Sequence, residues 1–121
     1  MLKDDFVMRQ TDTLATALAH LVLHKSGTDY TPTGRAADAA ADGLWFSLDQ
    51  LIRAGNFDQA EDQLYEQSDW GDLRYLELGV AFYVHLNQRS DQELEAGNFT
   101  REEVGEGLRD FARKFGVELQ M

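Results

Sequence analysis

Residues 54–61 read AGNFDQAE, and residues 96–103 read AGNFTREE. The same four residues, Ala-Gly-Asn-Phe, occur twice, each time ahead of an acidic run that favours helix. Gly55 suits the left-handed conformation that ends a helix, and Asn56 the cap that begins the next. Gln59 stands three residues beyond Asn56, the reach of a capping box. In the second copy the capping pair is Thr100 and Glu103, with Phe99 and Val104 placed as a hydrophobic staple. Both copies therefore predict a turn between antiparallel helices, with Phe57 and Phe99 in equivalent buried positions.

Residues Leu2 to about Lys25 predict a first helix carrying Phe6, Leu14, Ala17, Leu18, Leu21 and Val22. His24 and Lys25 are cations suited to its C-terminus, and Ser26-Gly27 stops it. The stretch SGTDYTPTG has turn chemistry throughout. A second helix is expected from near Thr33 to about Ala54, on a stripe that includes Ala41, Leu44, Leu48 and Ile52. Gly43 inside it costs about 1 kcal/mol relative to alanine. A third helix runs from Phe57 to Gln67, burying Phe57, Ala60 and Leu64.

Ser68 or Asp69 caps a fourth helix starting around Trp70. From Leu73 to Leu86 this helix is apolar on nearly every side, which predicts burial at the centre of the bundle. The polar run NQRSDQELE beyond it reads either as an exposed extension or as a frayed loop. The last helix buries Val104, Leu108, Phe111 and Phe115 and ends at Gly116. Gly105 and Gly107 weaken it by about 1 kcal/mol each unless close packing compensates. The expectation is an all-α single domain, 1–121, of about five helices. It divides into an N-terminal helix (1–25), a first helix pair (33–67), a second (69–116) and a tail (117–121).

The turn Gly55-Asn56-Phe57-Asp58-Gln59-Ala60 resembles that of the tetratricopeptide repeat, in which two antiparallel helices meet at Gly-(Asp/Asn)-(Tyr/Phe)-x-x-Ala. In YLELGVAFY, Leu78-Gly79 and Ala81-Phe82 resemble the Leu-Gly-x-Ala-Tyr core of that motif's first helix. The second turn keeps Gly97-Asn98-Phe99 but has Glu102 at the small-residue position. The spacing from residue 54 to residue 96 also exceeds the repeat's ~34-residue period. A second resemblance lies in DDFVMRQTDTLATALAHLVL, which is similar to the opening of a small bacterial family of unknown function that joins such a helix to tetratricopeptide-like repeats. It implies no activity and no catalytic residue.

Composition narrows the function classes. The formal charge is −11, from 22 acidic and 11 basic residues. Nucleic-acid binding needs a basic stripe, and an anionic membrane surface repels such a chain. No apolar run reaches the ~20 residues of a membrane span. The start, MLKDDFVMRQ, is acidic where a signal peptide is basic. There is no cysteine, so neither a disulfide scaffold nor a thiolate metal site is expected, and a cytoplasmic location is.

His20 and His24 are four apart, a spacing that can present two imidazoles to one metal ion, but no third ligand accompanies them; the other histidine is His85. Glu102, Glu103 and Glu106 match Glu-Glu-x-x-Glu, half of the magnesium site of all-α nucleotide pyrophosphohydrolases. The complementary Glu66-Gln67-Ser68-Asp69 precedes it instead of following. Ser47 and Ser68 have no histidine nearby in sequence, and Ser26 and Ser90, which follow His24 and His85 by two and five residues, stand in no triad pattern. No phosphate loop, dinucleotide fingerprint or nucleophile elbow is present.

The sequence therefore predicts a tetratricopeptide-like protein-interaction or self-association module, not an enzyme, with no catalytic, cofactor-binding or metal residues. An unnamed protein partner and a two-fold homodimer are the partners expected. The alternative is a small metal-dependent nucleotide hydrolase using a carboxylate cluster.

Overall fold

The structure, a computed structural model, describes residues 2–119, with side chains from Asp5 onward. Among these residues there are six α-helices and no strand: α1 (Leu2–Leu21), α2 (Ala39–Arg53), α3 (Phe57–Gln67), α4 (Leu73–Asn87), α5 (Asp91–Ala96) and α6 (Arg101–Lys114). A single 3-10 turn, Ala36–Asp38, leads into α2.

The apolar helix is the centre. Helix α4 buries Leu76, Leu78, Val80, Ala81, Phe82, Tyr83, Val84 and Leu86, and α1, α2 and α6 pack around it. At the crossings, side chains of the neighbouring helix press directly onto glycine. A Cβ on Gly79 of α4 would stand 2.0 Å from Cε2 of Phe111 in α6. A Cβ on Gly107 would meet Cε1 of Tyr83 at 2.7 Å, and one on Gly105 would meet Oγ1 of Thr11 in α1 at 2.7 Å. The glycines that weaken α6 locally are thus the places where α4 and α1 approach it.

The two Ala-Gly-Asn-Phe turns pack against each other. A Cβ on Gly97 would lie 2.4 Å from Cδ2 of Phe57 and 3.1 Å from the Gly55 carbonyl oxygen. Both phenylalanines are buried, as expected. The turns nevertheless close one residue out of step. In the first, Gly55 takes φ +80° and the Asn56 amide donates to the Leu51 carbonyl at 2.9 Å. In the second, Asn98 takes φ +62° and the Phe99 amide donates to the Leu94 carbonyl at 2.9 Å. Phe57 consequently opens α3, whereas Phe99 precedes the cap of α6.

Several boundaries differ from expectation. Helix α1 stops at Leu21, not Lys25, because the Leu23 amide turns back to the Leu18 carbonyl and the Lys25 amide to the Ala19 carbonyl, with His24 at φ +55°. Helix α2 starts at Ala39, not Thr33, since Asp42 turns its carboxylate back onto the preceding loop. Asp72, not Ser68 or Asp69, caps α4 by accepting from the Arg74 amide, leaving Trp70 in the turn. Asn56 makes no side-chain cap, so the box with Gln59 does not form. The box between Thr100 and Glu103 does form.

The polar run after α4 is neither an extension nor a frayed loop. It contains α5, opened by a capping box between Ser90 and Glu93 and anchored by the buried Leu94. The second Ala-Gly-Asn-Phe turn therefore joins α5 to α6, and the 69–116 region holds three helices, so five helices become six. Buried Arg101 binds this connection to α6, donating to the carbonyls of Asn87 (2.5 Å) and Arg89 (2.9 Å) and to Asp91. Asn87 in turn donates to the Met8 carbonyl and to Asp12, both at 2.9 Å, fixing α1 to the end of α4.

Candidate functional site

A groove runs along the outside of α1 where it meets α6. One end is a cleft of about 160 Å³ lined by Val7, Gln10, Thr11 and Leu14 of α1 and by Glu102, Gly105, Glu106 and Arg109 of α6. Adjoining it, a cleft of about 370 Å³ is lined by Phe6, Arg9, Gln10, Thr13 and Arg109. Gln10 and Arg109 border both. Gly105 is what lets the helices approach here, through its contact with Thr11.

Phe6 was expected on the apolar stripe, yet it is 56% exposed, and Leu21 is 66% exposed. Helix α1 points Leu14, Ala15, Leu18 and Ala19 inward, and Phe6 falls off that line, beside the groove. Phe6, Arg9, Gln10 and Thr13 sit at i, i+3, i+4 and i+7, the spacing of one helix face. That spacing was the signal available in the sequence. Nothing local linked the face to Arg109.

The charges divide unevenly. Arg35 pairs with Asp38, Arg53 with Asp49, Arg74 with Glu77, Arg89 with Glu93, Arg101 with Asp91 and Arg113 with Asp110. Among the described residues, Arg9 and Arg109 form no such ion pair, although the chain carries 22 acidic residues. Both line the same cleft.

Residues 1–116 match a family of unknown function, a span that takes in the DDFVMRQ stretch and both Ala-Gly-Asn-Phe turns. The chain belongs to DUF6483. Searches of curated proteins and of solved structures gave no match.

Membership in DUF6483 carries no activity, so the polar clusters have to be judged on geometry. The densest one holds the loop before α2. Tyr30 donates to Asp42 Oδ1 at 2.6 Å, and the Thr33 and Gly34 amides donate to Oδ2 at 3.2 and 3.0 Å. Arg74 lies 4.1 Å over the Tyr30 ring and donates to the Thr31 carbonyl at 2.8 Å. Glu77 pairs with both Arg74 and Lys25. The Tyr30 hydrogen bond, then the two amides and Arg74, hold the Asp42 carboxyl below its ordinary range against the opposing effect of burial. Burial and the Asp42 hydrogen bond push the Tyr30 hydroxyl up. These contacts fasten the loop to α2 and α4.

A second pair joins α3 to α4: Tyr83 donates to Glu61 Oε2 at 2.5 Å. Burial raises the Glu61 carboxyl above its ordinary value, helped by the charges of Asp58, Asp62 and Glu103 and opposed by the Tyr83 bond. Burial and the neighbouring Glu61 push the Tyr83 hydroxyl up as well.

The sequence candidates are not brought together. Helix α1 ends before His24, which takes φ +55°, so the four-residue helical spacing from His20 is lost. His85 stacks edge-on against Trp45, centroids 5.2 Å apart. Glu103 is held in its capping box, while Glu102 and Glu106 face the α1–α6 groove. Glu66 lines a different cleft, between α2 and α3, and Asp69 accepts from the Gly71 amide in a turn. Among the described residues no group of three or more His, Asp or Glu side chains converges as a metal site. Ser47 bonds Gln63, Ser68 bonds the Leu64 carbonyl and Ser90 caps α5. No helix among the described residues is long and apolar enough to cross a membrane.

Proposed function

We propose that this chain is a non-catalytic, cytoplasmic protein-interaction module of tetratricopeptide-like design that docks a partner along the α1–α6 groove. The observation that carries the reading is the outward face of α1. It presents an exposed phenylalanine beside a cleft bounded by a second helix. Peptide-binding helical domains use grooves of this kind between packed helices. The tetratricopeptide-like element is the pair α2–α3, joined at the Gly55-Asn56-Phe57 turn with Phe57 and Ala60 buried. Fold alone never fixes function, whereas the groove is a surface that a partner can occupy.

Helix α4 is enclosed by α1, α2 and α6 of its own chain, so its burial calls for no second subunit. A partner other than a second copy is therefore the favoured occupant.

A photo-crosslinking amino acid at Thr13, expressed in the cells that make the protein, tests the reading. A discrete adduct is expected from Thr13, weakened by Phe6→Asp, and not from the same reagent at exposed Arg53 on α2. Adducts at neither position, or equally at both, would rule the groove out.

A further inference from the structure

We propose that the α1–α6 groove receives an acidic, apolar-anchored peptide segment of a protein partner. Arg9 and Arg109 hold its carboxylates, and Phe6 covers its apolar side chain. The inference rests on the groove reading above and adds the chemistry of the occupant.

Charge complementarity selects the occupant. In a chain of net charge −11, a surface arginine has many carboxylates within reach, and six arginines have found one. Among the described residues Arg9 and Arg109 have not, and they converge on one cleft although they lie far apart in the sequence. A guanidinium offers a planar fork that matches a carboxylate with two parallel hydrogen bonds. The cleft they share is about 370 Å³, with an exposed aromatic ring at its edge. That size suits one or two apolar side chains in the scale of small binding sites, about 300–1,000 Å³.

Charge is also distributed unevenly along the groove. Glu102 and Glu106 border its narrower end, so acids on the occupant belong at the Arg9–Arg109 end. Two arginines are too few to neutralise a nucleic-acid backbone against the field of this chain. An anionic bilayer meets the same repulsion over a wider area. A second copy brings a further −11 charges to the contact, which opposes close approach.

The test uses the whole chain and a fluorescein-labelled synthetic peptide with Leu at three- and four-residue spacing and Glu between. The control has Gln in place of every Glu. Fluorescence anisotropy is expected to show the Glu peptide binding about tenfold or more tightly than the Gln peptide, with affinity falling as salt rises. Arg9→Glu and Arg109→Glu should each weaken it about tenfold while melting like the parent, and Arg53→Glu should leave it unchanged. Equal binding of the two peptides, or indifference to Arg9→Glu, overturns the proposal. Binding to phosphatidylserine vesicles in place of the peptide, lost in Arg9→Glu, overturns it in favour of a membrane surface. A dimer in sedimentation equilibrium that Arg9→Glu dissociates, without peptide binding, overturns it in favour of a second copy. The Thr13 crosslink separates the two failures: a discrete protein adduct that persists keeps the docking groove and overturns only the acidic chemistry, and its loss removes the groove reading as well.

Discussion

The rings of Phe57 and Phe99 meet edge to face, centroids 6.2 Å apart and planes at 76°, so the repeated Ala-Gly-Asn-Phe turns are also neighbours in space. Each ring is buried, and the backbone of Gly97 lies against Phe57 with no room for a side chain. The repeat is thus a packing unit in which one copy covers the other.

Truncating either ring should be costly, and the two costs should not add. Phe57→Ala is expected to lower stability by about 3–5 kcal/mol in urea melts, as for other buried aromatics. The Phe57→Ala, Phe99→Ala double variant should fall short of the sum by about 0.5–1.5 kcal/mol, the scale of an aromatic pair. Strict additivity would show that the rings do not support each other.

Two glycines in helices should respond to alanine with opposite signs. Gly43 faces open space on α2, so Gly43→Ala should stabilise by up to about 1 kcal/mol through helix propensity alone. Gly79 on α4 has Phe111 where its Cβ would go, so Gly79→Ala should destabilise by about 1–3 kcal/mol despite the same propensity gain. Thermal melts of the two variants side by side decide it.

Glu61 should make the fold less stable as pH rises. Its carboxyl is raised by burial, so the folded chain keeps this proton to higher pH than the unfolded chain does. The stabilisation is complete below the ordinary value of 4.5 and is lost as pH climbs through the folded value. Glu61→Gln removes that loss and can still accept from Tyr83. Its urea midpoint should exceed the parent's at pH 7 and approach it near pH 4. A variant equally destabilised at both pH values would contradict this account.

Asp42 acts in the opposite direction. Its carboxyl is depressed, so its contribution is present above the ordinary value of 3.8 and is lost as pH falls through the folded value. Asp42→Asn should release the loop it holds. Hydrogen exchange is expected to quicken about tenfold or more at the Thr33 and Gly34 amides while amides in the middle of α4 keep their protection. Unchanged exchange at Thr33 would remove Asp42 from that role.

What could be read from the sequence is what depends on residues close together in it. The bounds of α3 follow from Phe57, Ala60 and Leu64 recurring at helical spacing, and the start of α6 from Thr100 and Glu103 three residues apart. The burial of α4 was legible because a helix apolar on every side has no face to give to water. Helix α5 was equally local, for Ser90 and Glu93 form the same box as Thr100 and Glu103, but six residues of polar composition conceal it. The rest needed the tertiary structure. Phe6 and Leu14 are both apolar residues of α1, and only the placement of α4 and α6 decides that one is exposed and the other buried. Asp42 lies on a helical stretch, and only the loop folding back over it determines that its carboxylate caps Thr33 and Gly34. Arg9 and Arg109 share a cleft because Gly105 admits Thr11 and Asn87 anchors α1, and contacts between such distant residues leave no trace in the periodicity of either helix. Hydrogen bonds and side-chain spacing within a few residues set the helices, and burial of their faces against one another set the site.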